Sequence, residues 1–229
     1  MQEVVLFDYW RSSASYRVRI ALNLKGIAYR AVPTDLVASA QKAPDYVARN
    51  PQGFVPMLQI DGLDLTQSLA IIDYLDAICP NPRLLPADPA ARAATLARAM
   101  IIIADIHPVN NLRMLRYLKT VMGQDQAAID DWYRHWVAEG FAALEALAPD
   151  AGLFGGPRLA GGAGLAGGAA LAGGAGPDLT DVCLVPQMSN ARRFDLDLSP
   201  YPRLVRIDAD LQVLPAFAMA HPDAVKAAA

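Results

Sequence analysis

The sequence predicts an α/β domain followed by an all-α domain, and three observations lead to this prediction. Strand-like and helix-like segments alternate over roughly the first third of the chain. From Pro89 onward, apolar residues recur every three or four positions and no strand pattern returns. Between these regions, prolines interrupt the chain over residues 80–86. We therefore place the boundary near residue 87, with the α/β domain at 1–87 and the helical domain at 88–229.

The first domain is expected to follow the order β-α-β-α-β-β-α, which is the order of thioredoxin-like domains. The strands are predicted at residues 4–7, 27–32, 57–60 and 63–65, and the helices at residues 15–25, 46–50 and 68–78. Asp61-Gly62 between two apolar runs is a strong hairpin signal, because the favoured two-residue turn needs positive φ at both positions.

The first helix is expected to be amphipathic and to end at Gly26. Val18 and Leu22 line its apolar side, whereas Arg17 and Arg19 fall largely on the other side.

The second domain shows helix signals along its length. Pro89 follows Asp88, a good N-cap, and Pro108 should kink or end the helix that begins there. Further helices are expected at residues 112–121, 125–147, 179–194 and 202–211. Asp178 and Asp181 form an acidic variant of the capping box before residue 179.

Residues 159–176 interrupt this helical pattern with three copies of a Leu-Ala-Gly-Gly-Ala-(Gly/Ala) hexad. Eight of the 18 residues are glycine, and each glycine weakens a helix by about 1 kcal/mol relative to alanine. We therefore predict a flexible loop insertion and no membrane span.

Charge and composition exclude several classes of function. The net charge of −3 gives no general attraction to nucleic acid. The two cysteines, Cys79 and Cys183, lack the spacing of a metal site and indicate a reducing compartment. The N-terminus lacks the basic and apolar regions of a signal peptide, so a cytoplasmic location is expected.

Arg11, Ser12 and Ser13 lie between the first strand and the first helix. A helix N-terminus can hold an anion, because its first backbone N–H groups have no partner within the helix. A thiolate is such an anion, and helix N-termini lower the pKa of thiols. Taken alone, the segment also suits an unrelated α/β domain.

Two later segments carry further binding signals. Val55-Pro56 precedes a predicted strand, and a cis proline there would turn the Val55 backbone toward a peptide ligand. Taken alone, a trans proline could equally begin an edge strand, but with Ser12 upstream we predict the cis form. Gln67-Ser68 opens the third helix, where a carboxylate is favoured, although a plain serine cap needs no ligand.

The segments 105–113 and 184–194 bring polar groups into the helical domain. The first contains His107, Asn111 and Arg113 around a proline break, where a kinked helix can direct such groups into a cleft. A solvated helix face is the alternative. The second reads Leu-Val-Pro-Gln-Met-Ser-Asn-Ala-Arg-Arg-Phe and contains Arg193.

Taken together, these motifs resemble the zeta-class glutathione transferases. Residues 11–22 are similar to the family pattern Arg-Ser-Ser-Cys-x-x-Arg-Val-Arg-Ile-Ala-Leu, except that Ala14 replaces the cysteine. Residues 184–194 resemble the family's Leu-Val-Pro-Gln-x-x-x-Ala-x-Arg-Phe signature, and residues 105–113 are similar to its maleylpyruvate isomerase branch. The resemblance implies the glutathione transferase fold.

The resemblance also implies site residues, with glutathione as the cofactor. Those implied to act in catalysis are Ser12, Arg11, His107, Arg113 and Arg193. Those implied to bind glutathione are Ser12, Ser13, Gln52, Val55, Pro56, Gln67, Ser68 and Asn111. Ser12 matches the thiol-activating serine, and Gln67-Ser68 matches the pair that binds the γ-glutamyl carboxylate.

The implied reaction is the cis–trans isomerisation of maleylpyruvate or maleylacetoacetate, both of which are dicarboxylates. The implied assembly is a homodimer, with no metal, nucleic acid or membrane partner. Two alternatives stay open, namely a general glutathione transferase or peroxidase and a glutathione-binding module without catalysis.

Overall fold

The computed structural model describes residues 3–156 and 176–227. By their internal contacts, these residues form two compact units. The first contains residues 3–83 and 213–227, and the second contains residues 84–156 and 176–212. The boundary near residue 87 stays a prediction. The insertion predicted at residues 159–176 lies outside the described residues, apart from Gly176.

The first unit is built around a four-stranded sheet in the order β2-β1-β3-β4. β1 pairs in parallel with β2 and antiparallel with β3, and β3 and β4 form an antiparallel hairpin. The elements in chain order are β1 (Val5–Asp8), α1 (Ser13–Leu24), β2 (Arg30–Pro33), α2 (Pro44–Arg49), β3 (Met57–Ile60), β4 (Leu63–Thr66) and α3 (Ser68–Ile78). The predicted element order is confirmed, as is the hairpin turn, where Asp61 and Gly62 both have positive φ.

The second unit contains helices throughout its described length. In chain order they are α4 (Pro89–Met100), a π-helical turn (Ile101–Ile106), α5 (His107–Val109), α6 (Leu112–Thr120), α7 (Gln126–Leu147), α8 (Leu179–Arg193) and α9 (Pro202–Gln212). Asp88 caps α4 by accepting a hydrogen bond from the N–H of Ala91. The capping box of Asp178 and Asp181 at α8 is present as predicted.

Two short helices, α10 (Pro215–Ala218) and α11 (Pro222–Ala227), belong to the first unit. The side-chain amide of Asn23 donates to the carbonyl of Ala216 at 2.9 Å. The rings of Tyr16 and His221 meet edge to face, with their centroids 6.0 Å apart. The segment around α10, from Ala216 to His221, therefore packs against α1.

The prediction that one side of α1 is polar, with Arg17 and Arg19 on it, is wrong. Arg17 and Arg19 are only 1% and 0% exposed, and nearly all of α1 is buried. Burying a charged group is costly unless it is paired and hydrogen-bonded. Arg19 meets this requirement by pairing with Asp8, and Arg17 donates to Ser68. Helical spacing alone could not distinguish a buried arginine with such partners from a solvated one.

Pro108 follows a widened helix rather than a simple kink. Residues 101–106 form the π-helical turn, and Gly140 of α7 lies against it. A Cβ atom added to Gly140 would stand 2.4 Å from Cδ1 of Ile106, so a glycine is needed for this close approach. Within the described residues, no helix has the length and apolar character needed to span a membrane.

Candidate active site

Ser12 lies in the turn between β1 and α1 and caps the helix. Its Oγ accepts a hydrogen bond from the N–H of Ser15 at 3.2 Å, and its own N–H donates to the carbonyl of Tyr9 at 2.8 Å. The cap uses the oxygen of the hydroxyl as an acceptor, so the hydroxyl hydrogen can be donated to an anion. Ser12 is half-buried, Ser13 is buried and Arg11 is exposed. This turn therefore offers a donor and a cation to a ligand.

Trp10 sets the surroundings of Arg11. The guanidinium carbon of Arg11 lies 5.5 Å from the centre of the indole ring, and Nζ of Lys226 lies 4.9 Å from it. Such contacts are favourable because the ring face is electron-rich. Trp10 and Lys226 are not marked by any sequence motif, and no local pattern could have joined two residues so far apart in the chain.

The loop before β3 is fixed at Phe54. The carbonyl of Phe54 accepts hydrogen bonds from the Tyr46 hydroxyl at 2.6 Å and from the Asn50 amide at 2.8 Å. Burial raises the pKa of Tyr46 to about 12, so its phenol keeps the hydrogen that it donates. The Val55–Pro56 bond is cis, as predicted.

Gly53 in the same loop has a φ of +59°. A Cβ atom there would stand 2.7 Å from the carbonyl oxygen of Gln41. Both the backbone conformation and the close approach require glycine at this position.

Gln52, Gln67 and Ser68 are brought together at the N-terminus of α3. Nε2 of Gln67 donates to Oε1 of Gln52 at 2.6 Å, and both side chains are exposed. Gln67 has a φ of +67° and makes no side-chain cap for the helix. The first N–H groups of α3 are thus not covered by a side-chain cap, which suits an anionic ligand.

Ser68 is the third residue of this cluster at the N-terminus of α3. It is 6% exposed, and its Oγ accepts a hydrogen bond from Nη1 of Arg17 at 3.1 Å. Helix amides, an amide side chain and a hydroxyl backed by a guanidinium suit the carboxylate of a small peptide. The residues present therefore fit glutathione.

In the second unit, His107, Asn111 and Arg113 lie on either side of the break between α5 and α6. His107 begins α5 and is half-buried. Asn111 caps α6, its Oδ1 accepting from the N–H of Arg113 at 3.1 Å. The side chain of Arg113 is exposed.

Arg193 ends α8 and is linked to this break through aromatic residues. Its guanidinium donates to Oδ1 of Asn190 at 3.0 Å and lies 4.7 Å from the ring centre of Phe194. Phe194 stacks on Tyr133 with ring centroids 3.6 Å apart. The carbonyl of Tyr133 accepts a hydrogen bond from the Asn110 side chain at 3.2 Å. The two motifs of the helical region are thus joined by Tyr133, a residue that no sequence motif indicated.

Arg192, the neighbour of Arg193, has a different environment. Its side chain is 46% exposed and pairs at 2.6 Å with the buried carboxylate of Asp208. The half-exposed Arg192 therefore compensates a buried charge.

A thioredoxin-like domain with an anion-binding turn, followed by a helical region, defines the class of the glutathione transferases. A family model described as the glutathione S-transferase N-terminal domain matches residues 2–77. The chain is 48% identical to the maleylacetoacetate isomerase of Rhizobium meliloti (strain 1021), with 98% of each chain covered.

Two solved structures are similar over nearly their full length. One is the holo structure of maleyl pyruvate isomerase, described as a bacterial zeta-class glutathione transferase, at 41% identity and a TM-score of 0.85, covering 96% of this chain and 97% of that one. The other is maleylacetoacetate isomerase from Anaeromyxobacter dehalogenans 2CP-1 with bound GSH in the active site, at 39% identity and a TM-score of 0.78, covering 97% and 96%. The chain belongs to the zeta-class glutathione transferase family that contains these isomerases.

Proposed function

We propose that this chain is a glutathione-dependent isomerase that converts the cis double bond of a maleyl diketo acid into the trans bond of the fumaryl isomer. The observation that carries the proposal is the 48% identity with a maleylacetoacetate isomerase across 98% of both chains. A second chain of this family, at 39% identity, holds GSH in its active site.

Glutathione, when bound, supplies a thiolate whose reversible addition to the double bond allows rotation about it. In our proposal, the donors of Gln67 and Ser68 hold its γ-glutamyl carboxylate, with Gln52 beside them. The backbone of Val55, next to Pro56, pairs with its peptide part as an added strand would. Ser13 and Asn111 are proposed as further contacts.

Ser12 is proposed to donate its hydroxyl hydrogen to the thiolate. Its position at a helix N-terminus supports this role, because the helix dipole favours negative charge there. Arg11, Arg113 and Arg193 are proposed to hold the substrate carboxylates, since the forked guanidinium matches a carboxylate. His107 is proposed to orient the substrate or to carry a proton.

Maleylpyruvate is proposed to be the better substrate. Its two carboxylates lie on a short skeleton, so converging arginines can bind both ends at once. Maleylacetoacetate is longer, and its fit depends more on the length of the pocket. The similarity of residues 105–113 to the maleylpyruvate isomerase branch supports this choice. We further propose a homodimer in the cytoplasm.

The test is an assay of both maleyl substrates with and without glutathione, beside conjugation of a small aromatic electrophile. Isomerisation that requires glutathione, and that exceeds conjugation in kcat/KM, supports the proposal. Conjugation or peroxidase activity without isomerisation would favour a general transferase. Glutathione binding without turnover of any substrate would favour a binding module.

A further inference from the structure

The two arginines buried in α1 have partners that lie in different parts of the candidate site. Arg17 is 1% exposed and Arg19 is 0% exposed. An uncompensated charge inside a protein is strongly destabilising, so the groups to which a buried guanidinium donates are informative. The acceptors of each arginine therefore show which part of the protein that arginine holds in place.

Arg19 joins the end of β1 to the turn that carries Ser12. Its Nη1 donates to both carboxylate oxygens of Asp8, at 2.7 and 2.9 Å. Its Nη2 donates to the carbonyl of Trp10 at 3.0 Å, and its Nε donates to the carbonyl of Ala220 at 3.0 Å. Trp10 directly precedes Arg11 and Ser12. One planar fork thus fixes the turn relative to the strand, which a lysine with its single ammonium cannot do.

Arg17 acts at the other part of the site, the N-terminus of α3. A guanidinium has donors only, so Ser68 Oγ must be the acceptor of the 3.1 Å bond. The hydroxyl hydrogen of Ser68 therefore points away from Arg17. Within the described residues this hydroxyl donates to no protein acceptor. It is left as a donor for a ligand, with the charge of Arg17 behind it.

We infer that Arg17 and Arg19 are positioning residues for two separate functions of the glutathione site, an inference that rests on the proposed function. Arg17 orients the Ser68 hydroxyl toward the γ-glutamyl carboxylate and thereby governs affinity. Arg19 holds the turn of Ser12 and thereby governs the activation of the thiol. Neither arginine touches the substrate.

The experiment compares Arg17→Met and Arg19→Lys in the full chain by three measurements: the Kd for glutathione, the pKa of the bound thiol from its ultraviolet absorbance, and kcat. Arg17→Met is expected to raise Kd about tenfold, the loss that one charge-assisted hydrogen bond allows, and to leave the thiol pKa unchanged. Arg19→Lys is expected to raise the thiol pKa and lower kcat, with Kd changed less than about threefold.

Arg98→Met is the matched control. Arg98 is a partly buried arginine of the second unit that donates to Thr180 and Asp178. Its loss should lower stability but change neither Kd nor the thiol pKa. If Arg17→Met and Arg19→Lys lose affinity and activation in the same proportion, or behave like Arg98→Met, the arginines are only structural and the inference is wrong.

Two further variants keep the test decisive if a first variant does not fold. Ser68→Ala combined with Arg17→Lys should show strongly non-additive effects on Kd, because both changes break one interaction. Asp8→Glu lengthens the partner of Arg19 by one methylene, which displaces the guanidinium, and should repeat the rise in the thiol pKa. Additive effects on Kd in the first case, or an unchanged thiol pKa in the second, would overturn the inference. Wild-type protein that neither binds glutathione nor isomerises would instead overturn the proposed function.

Discussion

At the scale of single residues, Ser12 combines a structural task with a chemical one. Its oxygen caps α1, and its hydrogen is proposed to bind the thiolate. We expect Ser12→Ala to lower kcat by about a hundredfold or more, the cost found when one oriented donor is lost from an active site. The Kd for glutathione should change little, since Gln67 and Ser68 carry binding. Turnover and equilibrium binding are the measurements.

A control variant can measure the effect of losing a helix cap separately from the loss of the thiolate donor. Asp88 caps α4 with a side-chain bond to the N–H of Ala91 at 2.8 Å. Asp88→Ala removes an equivalent cap, worth about 1 kcal/mol, at an exposed position outside the candidate site. It should match Ser12→Ala in lost stability while keeping full turnover. Unchanged turnover in Ser12→Ala would transfer the thiolate role to Ser13 or to the backbone.

Arg113 is where substrate choice can be tested. Charge-assisted hydrogen bonds are roughly twice as strong as neutral ones. We therefore expect Arg113→Ala to lower kcat/KM for maleylpyruvate more than for maleylacetoacetate, and the ratio of the two values is the measurement. Arg116→Ala, an exposed arginine one turn further along α6, is the control and should leave the ratio unchanged. Equal losses on both substrates, or a wild-type preference for maleylacetoacetate, would contradict the substrate assignment alone.

At the scale of secondary-structure elements, the contact of α7 with the π-helical turn should be sensitive to a single methyl group. Gly140→Ala gains about 1 kcal/mol of helix propensity but places a Cβ atom 2.4 Å from Ile106. Overpacking typically costs about 1–3 kcal/mol, so we expect a lower melting temperature. Turnover should also fall, because His107 directly follows Ile106.

A second substitution distinguishes overpacking from other causes. Ile106→Ala removes the atoms that clash, so the double variant should be more stable than the sum of the two single effects predicts. Ala142→Gly on the exposed side of α7 measures the propensity term alone. Additive effects of Gly140→Ala and Ile106→Ala would show that the contact does not limit this element.

The N-terminus of α8 should give the protein a defined pH dependence. Burial, together with the neighbouring Asp178 carboxylate, raises the pKa of Asp181 to about 8, although hydrogen bonds from backbone N–H groups act in the opposite direction. In the folded state Asp181 thus keeps a proton that the unfolded chain releases near its ordinary pKa of about 3.9. The folded state binds more protons, so the free energy of unfolding should fall as pH rises between about 4 and about 8.

Asp181→Asn tests this pH dependence, because the amide does not titrate. Urea unfolding of this variant across the same pH range should show a flatter dependence than the wild type. A wild-type stability that rises with pH over this range would contradict the raised pKa.

At the scale of the whole molecule, the segments on either side of the glycine-rich hexads are held together by one carboxyl group. Asp181 accepts hydrogen bonds from the N–H groups of Phe154, Gly155 and Asp178, at 3.0–3.1 Å. A Cβ atom on Gly155 would stand 2.2 Å from the carbonyl oxygen of Gly176. The two described segments on either side of the hexads, ending at Gly156 and resuming at Gly176, therefore lie close together.

Deleting residues 159–176 should leave the fold and the activity largely intact. The entropy of closing a loop changes slowly with its length. Because 1 kcal/mol of stability corresponds to about 2–4 °C in a chain of this size, the melting temperature should shift by only a few degrees. Gly155→Ala is the contrasting variant. Its Cβ atom would collide with the carbonyl oxygen of Gly176, so it should destabilise the protein more than the deletion does. A large drop in melting temperature or a loss of self-association after the deletion would show that the hexads are packed.

Local chemistry made much of this protein predictable from its sequence. The element order, the Asp61-Gly62 hairpin and the capping box at α8 each depend on residues a few positions apart, and each is confirmed. The family resemblance likewise rested on continuous motifs, and it holds across nearly the whole chain.

Tertiary structure decided the features that depend on distant partners. Arg17 donates to Ser68, 51 positions further along the chain, and Arg19 donates to the carbonyl of Ala220, 201 positions further along, as well as to Asp8 nearby. Gly53 and Gly140 are required by atoms of other segments. The sequence by itself determined which segments become helices, strands and caps, because those choices are made by neighbouring backbone and side-chain groups. Only the folded chain could decide which charges are buried and what they hold, because burial depends on acceptors that the sequence does not place nearby.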